Sequence, residues 1–241
     1  MRALLTALSA VLLSACCHIP PLRPVSKNVA WQIPTNAWFL SKIPPPPAPD
    51  TAEARRDLVT VLALQAQATP ARIAQAKRSY DLTVFTLVPA VSANFTPENY
   101  PQTARCFLAL NNLVNDVNNP VKETYKRPHP FQVSDKVRQF VIAEPGYSYP
   151  SYHAARCVVF QHVFDQLDPG HDAAFTRISR QIQEDRVFAG EHFPSDIAGG
   201  IRLGKLIWGA LEKNGHFRAA VAALKEAEWT PPPTLTVECC E

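Results

Sequence analysis

Apolar residues recur at helical spacing along most of this chain. Thr51-Ala-Glu-Ala-Arg-Arg-Asp-Leu-Val-Thr-Val-Leu-Ala-Leu64 carries its acids early and an apolar stripe later, which predicts a helix whose dipole is complemented. Thr69-Pro70 caps and opens a second helix, running to about Tyr80. Leu82 to Val91 is strongly apolar; its residue types suit a strand, but its neighbours point to a buried helix. Asn94 to Tyr100 reads as a loop. Pro101 to about Asn119 forms the third long helix, with Cys106, Phe107, Leu110, Leu113, Val114 and Val117 near one face. Pro120 is expected to end or kink it, with helical turns resuming as far as Tyr125. Pro128-His129-Pro130 ends that segment, and a loop is expected up to Pro150. Ser151 to Leu167, His171 to Ala189, Pro194 to Leu211 and His216 to Glu228 read as further helices, the first two separated by Asp168-Pro-Gly170. Strands and helices do not alternate, which disfavours a nucleotide-binding parallel sheet. The expected fold class is an all-α helical bundle.

The two ends of the chain read differently. Arg2 precedes an apolar run, Leu4 through Leu13, that is too short for a bilayer span of roughly 20 residues. The run ends in Leu13-Ser-Ala-Cys16, which resembles a bacterial lipobox with Cys16 as the lipid attachment site. Each buried acyl CH₂ contributes about 0.8 kcal/mol, so several chains would hold the protein at a membrane. The expected organisation is a signal peptide over 1–15 and a lipid-anchored, Pro-rich linker over 16–50. A helical domain over 51–229 and a tail over 230–241 follow. Pro44-Pro-Pro-Pro47 should be an extended spacer.

Composition changes the picture little. A net charge of +3 gives no nucleic-acid signal, and there are 23 Pro against 8 Gly. Six cysteines lack CxxC or zinc spacing, so no metal site and no cofactor are expected, and spacing leaves any pairing open. Cys239 and Cys240 would either clip the tail to the body or link two chains into a homo-oligomer.

Chemistry concentrates in three stretches. In Asp185-Arg-Val-Phe-Ala-Gly-Glu-His-Phe-Pro-Ser-Asp196, Gly190 and Pro194 mark a helix break, which puts His192 on a turn and Asp196 in the opening turn of the next helix. A carboxylate there can hold one ring nitrogen and leave the other as a nucleophile, while Arg186 offers a planar fork of donors to an oxyanion. In Pro150-Ser-Tyr-His153, the unpaired amides of a helix start and the Ser151 hydroxyl form an anion site, with His153 able to protonate a leaving oxygen. In Lys122-Glu-Thr-Tyr-Lys-Arg-Pro-His-Pro130, the cations Lys122, Lys126 and Arg127 and the imidazole of His129 crowd a helix end. They either complement the dipole or reach a bound phosphate.

In this order the stretches resemble the signature of the phosphatidic acid phosphatase type 2 superfamily: Lys-x6-Arg-Pro, Pro-Ser-Gly-His, and Ser-Arg-x5-His-x3-Asp. The bacterial class A non-specific acid phosphatases look most similar, through Phe39-Leu-Ser-Lys-Ile-Pro-Pro-Pro-Pro-Ala-Pro-Asp50 and Lys122 to Phe131. The resemblance implies an all-helical fold shared with vanadium haloperoxidases. It also implies a metal-independent acid phosphatase that acts on small phosphomonoesters through a phosphohistidine. His192 would be the nucleophile, Asp196 its orienter and His153 the proton donor. Lys122, Ser151, Arg186 and the amides near Tyr152 and His153 would hold the phosphate. Three positions depart from the pattern: His129 replaces an Arg, Tyr152 a Gly, and Asp185 a Ser. His129 would bind phosphate well only when charged, and Tyr152 would narrow the pocket or block it. The other readings are a non-catalytic phosphate-binding lipoprotein and a vanadate-dependent peroxidase.

Overall fold

The computed structural model describes residues 31, 33–80, 83–87, 95–142 and 145–232. The lipobox with Cys16, the adjacent Cys17, and the tail with Cys239 and Cys240 lie outside the described residues, as does much of the expected apolar helix 82–91. Among the described residues the architecture is all-α, with no strand. The helices are α1 (Asn36–Leu40), α2 (Ala52–Ala66), α3 (Pro70–Arg78), α4 (Val84–Leu87), α5 (Pro101–Tyr125), α6 (Pro130–Val133), α7 (Tyr152–Leu167), α8 (Asp172–Phe188), α9 (Pro194–Leu211) and α10 (Gly215–Glu228). A short 3₁₀ turn, Pro169–His171, joins α7 to α8.

Helix α7 is the axis of the bundle. It is apolar nearly all round, and eleven of its residues are buried, from His153 to Leu167. It packs chiefly on α9 and α8, and next on α5. The α7–α9 approach is close because α9 presents glycines to it. A Cβ at Gly200 would stand 2.3 Å from the Ser151 carbonyl oxygen, and one at Gly204 2.6 Å from that of Ala155. Phe107, Phe160, Phe164, Phe175 and Trp229 fill the core between α5, α7, α8 and the end of α10. The side chain of Glu228, at the end of α10, accepts from the amides of Gln102 and Thr103 at 2.7 and 2.8 Å, an anion placed at the positive end of α5.

The structure differs from the sequence reading in four respects. Helix α5 runs unbroken through Pro120 to Tyr125. A proline at that position leaves the Asp116 carbonyl without its helical donor, and Asn36 of α1 supplies a replacement at 3.2 Å. The expected loop after Pro128 contains the short helix α6. Lys126 sits just past α5 with a left-handed backbone, φ 48°, and ends that helix. Finally, part of the stretch expected to be a spacer is packed on the body. Phe39 and Ile43 are buried in the main core, and the hydroxyl of Tyr149 donates to the Pro44 carbonyl at 2.7 Å. Cys106 and Cys157 are free thiols; burial pushes each up to about 12, which keeps them protonated and inert.

Candidate active site

The turn between α8 and α9 carries the central histidine. Gly190 adopts φ +81°, where a Cβ would lie 2.5 Å from the Arg138 carbonyl oxygen, so only glycine fits the break. Pro194 then opens α9, and Asp196 in its first turn accepts from the Phe193 amide at 2.8 Å. His192 and Asp196 are both fully buried, with Nδ1 and Oδ2 3.7 Å apart. At that separation they form an ion-pair contact rather than a hydrogen bond, and neither ring nitrogen of His192 has a hydrogen-bond partner among the described residues.

Asp196 sits among cations. Burial alone would raise its carboxyl, but the His192 ring, the Arg127 guanidinium and the Phe193 amide outweigh it and hold the group below the usual carboxylate value. Arg127 Nη1 donates to Asp196 Oδ1 at 2.5 Å and to Ser195 Oγ at 2.6 Å. Its Nη2 donates to Asp57 Oδ2 of α2 at 2.9 Å. For Arg127 and Lys126 the sequence leaves two roles open, complementing the helix dipole or reaching a phosphate. Arg127 is held between two carboxylates, and Lys126 is exposed at the end of α5.

The Pro150–His153 stretch meets this turn directly. Ser151 caps α7 by accepting from the Ala154 amide at 3.3 Å, and its own amide donates to the Asp196 carbonyl at 2.9 Å. Ser151 and His153 are buried. His129 is buried on the same side as His192, with ring centroids 5.9 Å apart. Its Nδ1 lies 2.6 Å from the Glu191 carbonyl oxygen, and because a carbonyl only accepts, that nitrogen carries the proton. The Glu191 carboxylate, itself buried, stands 3.9 Å from the same nitrogen. Lys122, half-buried, donates from Nζ to the Tyr147 carbonyl.

Arg186 and His153 both reach the C-terminal end of α3. Arg186 is fully buried; its Nη2 donates to the Ala76 carbonyl at 2.6 Å and to Ser79 Oγ at 3.2 Å, and its guanidinium lies 5.5 Å from the Tyr80 ring centroid. His153 Nε2 donates to the Tyr80 carbonyl at 3.1 Å. Asp185, where the signature has Ser, is buried and pairs with Arg72 of α3, while Ser79 Oγ donates to it at 2.7 Å. Tyr152 turns its hydroxyl to α5, donating to Asn111 Oδ1 at 2.6 Å, with Arg156 over its ring at 4.4 Å. Its ring stands edge-on to His153 at 5.9 Å.

Asp57, Ser79, Tyr80 and Glu191 were not read from the sequence as parts of this cluster. Asp57 and Ser79 carry no local signal, being ordinary polar residues in or just after helices. Glu191 did carry one: it is a charge that follows the run Val187 to Gly190, which holds no polar side chain, and directly precedes His192. A separate groove of about 610 Å³ lies beside the cluster, lined by Pro44 to Pro47, Tyr149, Ser195, Arg202 and Lys205.

No protein-family model matches the chain. The non-specific acid phosphatase of Salmonella typhi is 25% identical over 197 residues, which span 76% of this chain and 77% of that protein. The non-specific acid phosphatase of Salmonella typhimurium (strain LT2) matches over 197 residues at the same identity, 25%. Among solved structures, a transmembrane PAP2 type phosphatidylglycerolphosphate phosphatase from Bacillus subtilis is similar at a TM-score of 0.47 and 17% identity. That likeness covers 72% of this chain and 89% of the other.

Proposed function

We propose that this chain, a relative of the non-specific acid phosphatases within the phosphatidic acid phosphatase type 2 superfamily, is a phosphatase that hydrolyses small phosphomonoesters through a phosphohistidine. One observation carries the reading. Three stretches far apart in sequence converge: Ser151 bonds to Asp196, Asp196 stands beside His192, and His129 stands beside His192 from the other chain segment.

The reaction then runs in two displacements. His192 Nε2 attacks phosphorus in line while Asp196 holds Nδ1–H, and the ester P–O bond breaks. His153 gives its proton to the departing alkoxide, which leaves as an alcohol. In the second step His153 takes a proton from water, whose oxygen attacks phosphorus. The P–N bond breaks and inorganic phosphate leaves. Lys122, Arg186, Ser151, a charged His129 and the amides at residues 152 and 153 hold the equatorial oxygens, so Lys and Arg supply the positive charge and no metal is needed. Arg186 and His153 must exchange their bonds to α3 for bonds to the substrate. With the stretch ending at Cys16, the same reading has the protein exported and held at a membrane by acyl chains. No described helix is long and apolar enough to cross a membrane.

The test is release of phosphate from p-nitrophenyl phosphate across pH, with rapid quenching to trap a phosphoenzyme. Activity highest in acid, with an acid-labile phosphoenzyme absent from His192→Ala, is expected. An inactive wild type, or turnover that persists in His192→Ala, overturns the reading.

A further inference from the structure

We propose that Arg127, gripped by Asp57 of α2, is a positioning residue that aims the Asp196 carboxylate at the His192 ring. The proposal rests on His192 being the nucleophile and adds how that nucleophile is held. Arg127 lies in the cationic stretch from which a phosphate ligand was expected. Both ends of its guanidinium are instead engaged by carboxylates, and its face lies 4.2 Å from the Phe193 ring centroid. A cation so neutralised, with Asp57 and Asp196 beside it, repels rather than attracts a phosphate dianion.

Its grip has a direction. Arg127 takes Oδ1 of Asp196, leaving Oδ2 bonded to the Phe193 amide and turned toward His192 Nδ1 at 3.7 Å. A carboxylate held on both oxygens cannot rotate, so the lone pair facing the imidazole is fixed by Arg127. Asp57 is fixed in turn by the Ser195 amide at 3.1 Å and by the Ser195 hydroxyl. The result is a buried chain of alternating charge, Asp57–Arg127–Asp196–His192, running from α2 to the start of α9. All four groups are buried, so water replaces a lost partner poorly and each link is felt by the next. A buried ion pair is often no more stabilising than a packed apolar pair, so stability alone is a weak reason for it. Three fixed charges sum to −1, which is neutralised when the His192 ring becomes cationic on phosphorylation.

The chain predicts shifts of opposite sign. Loss of Arg127 leaves the ring facing a larger negative charge, and loss of Asp57 a smaller one. The His192 ring is therefore titrated by NMR in the full-length protein, which needs no turnover, beside kcat, KM and inhibition by inorganic phosphate. His129 and Glu191 also face this region and are unchanged in every variant. Arg127→Gln should raise the His192 midpoint and Asp57→Asn should lower it, each by about half a pH unit or more. Both should lower kcat about 10- to 100-fold, the range known for loss of the partner that orients a metal-bound histidine, with phosphate inhibition within about threefold of wild type. Arg127→Lys keeps the charge but loses the fork; its midpoint should stay near wild type while kcat falls. Shifts of the same sign, no shift, full kcat in Arg127→Lys, or inhibition by phosphate weakened tenfold in Arg127→Gln overturns the proposal. If the wild type does not turn over, the phosphatase reading fails, and the paired NMR shifts still judge the charge chain.

Discussion

Two alanine substitutions in one helix should move stability in opposite directions. Gly200 and Gly209 both lie inside α9, where alanine is intrinsically better than glycine by about 1 kcal/mol. A Cβ at Gly209 meets nothing within 4 Å, so Gly209→Ala should keep that gain. A Cβ at Gly200 would sit 2.3 Å from the Ser151 carbonyl oxygen and 2.8 Å from Ala154 Cβ. Ordinary contact begins at 3.4 Å, and the obstacle is backbone, so α9 and the start of α7 must part by about 1 Å. Overpacking of this kind costs about 3 kcal/mol, which leaves Gly200→Ala about 2 kcal/mol less stable than wild type. In a domain of this size that lowers Tm by about 4–8 °C, while Gly209→Ala raises it by about 2–4 °C. Thermal unfolding followed by circular dichroism measures both. Ser151 caps α7 within the proposed phosphate site, so Gly200→Ala should also lower kcat/KM, and Gly209→Ala should leave it alone. Equal stability of the two variants would refute the claim that close α7–α9 contact shapes the site.

Other substitutions test single groups. His129 Nδ1 already donates to the Glu191 carbonyl, so a neutral ring has no further donor to offer phosphate, whereas arginine always has; His129→Arg should lower KM about tenfold, and an unchanged KM would refute this. The Asp196 carboxyl is held below its unfolded value of about 3.9, so its ionised form stabilises the fold above that pH, and the contribution is lost as pH falls through the folded value. Asp196→Asn should therefore flatten the fall in urea-unfolding free energy between about pH 5 and 2, while costing about 1–3 kcal/mol at neutral pH by removing one of the two carboxylates that hold Arg127. Tyr152→Phe removes the bond to Asn111 and should cost about 1 kcal/mol with kcat nearly unchanged; a large fall in kcat would give the hydroxyl a direct part in catalysis.

The helices were legible in the chain because their signals are local. Thr51 and Thr69 cap α2 and α3 as their side chains suggest, and Pro194 opens α9 where its fixed φ is suited. His192 and Asp196 were legible as neighbours because four residues of helix-opening backbone fix their separation. Pro120 misled, since a proline inside a helix is harmful only while the freed carbonyl lacks a donor, and Asn36 arrives from 80 positions away. The partners of Arg127 were not legible for the same kind of reason. A cation near a helix end says nothing of its partner, and Asp57 comes from a helix 70 residues upstream. Sequence alone set helix positions, caps and the order of the reactive residues, because hydrogen bonds within one turn and apolar spacing act over a few residues. Tertiary structure decided which charges met. Pairing of buried ions depends on the crossing of α2, α7 and α9, and nothing within a few residues of Asp57 or Arg127 specifies it.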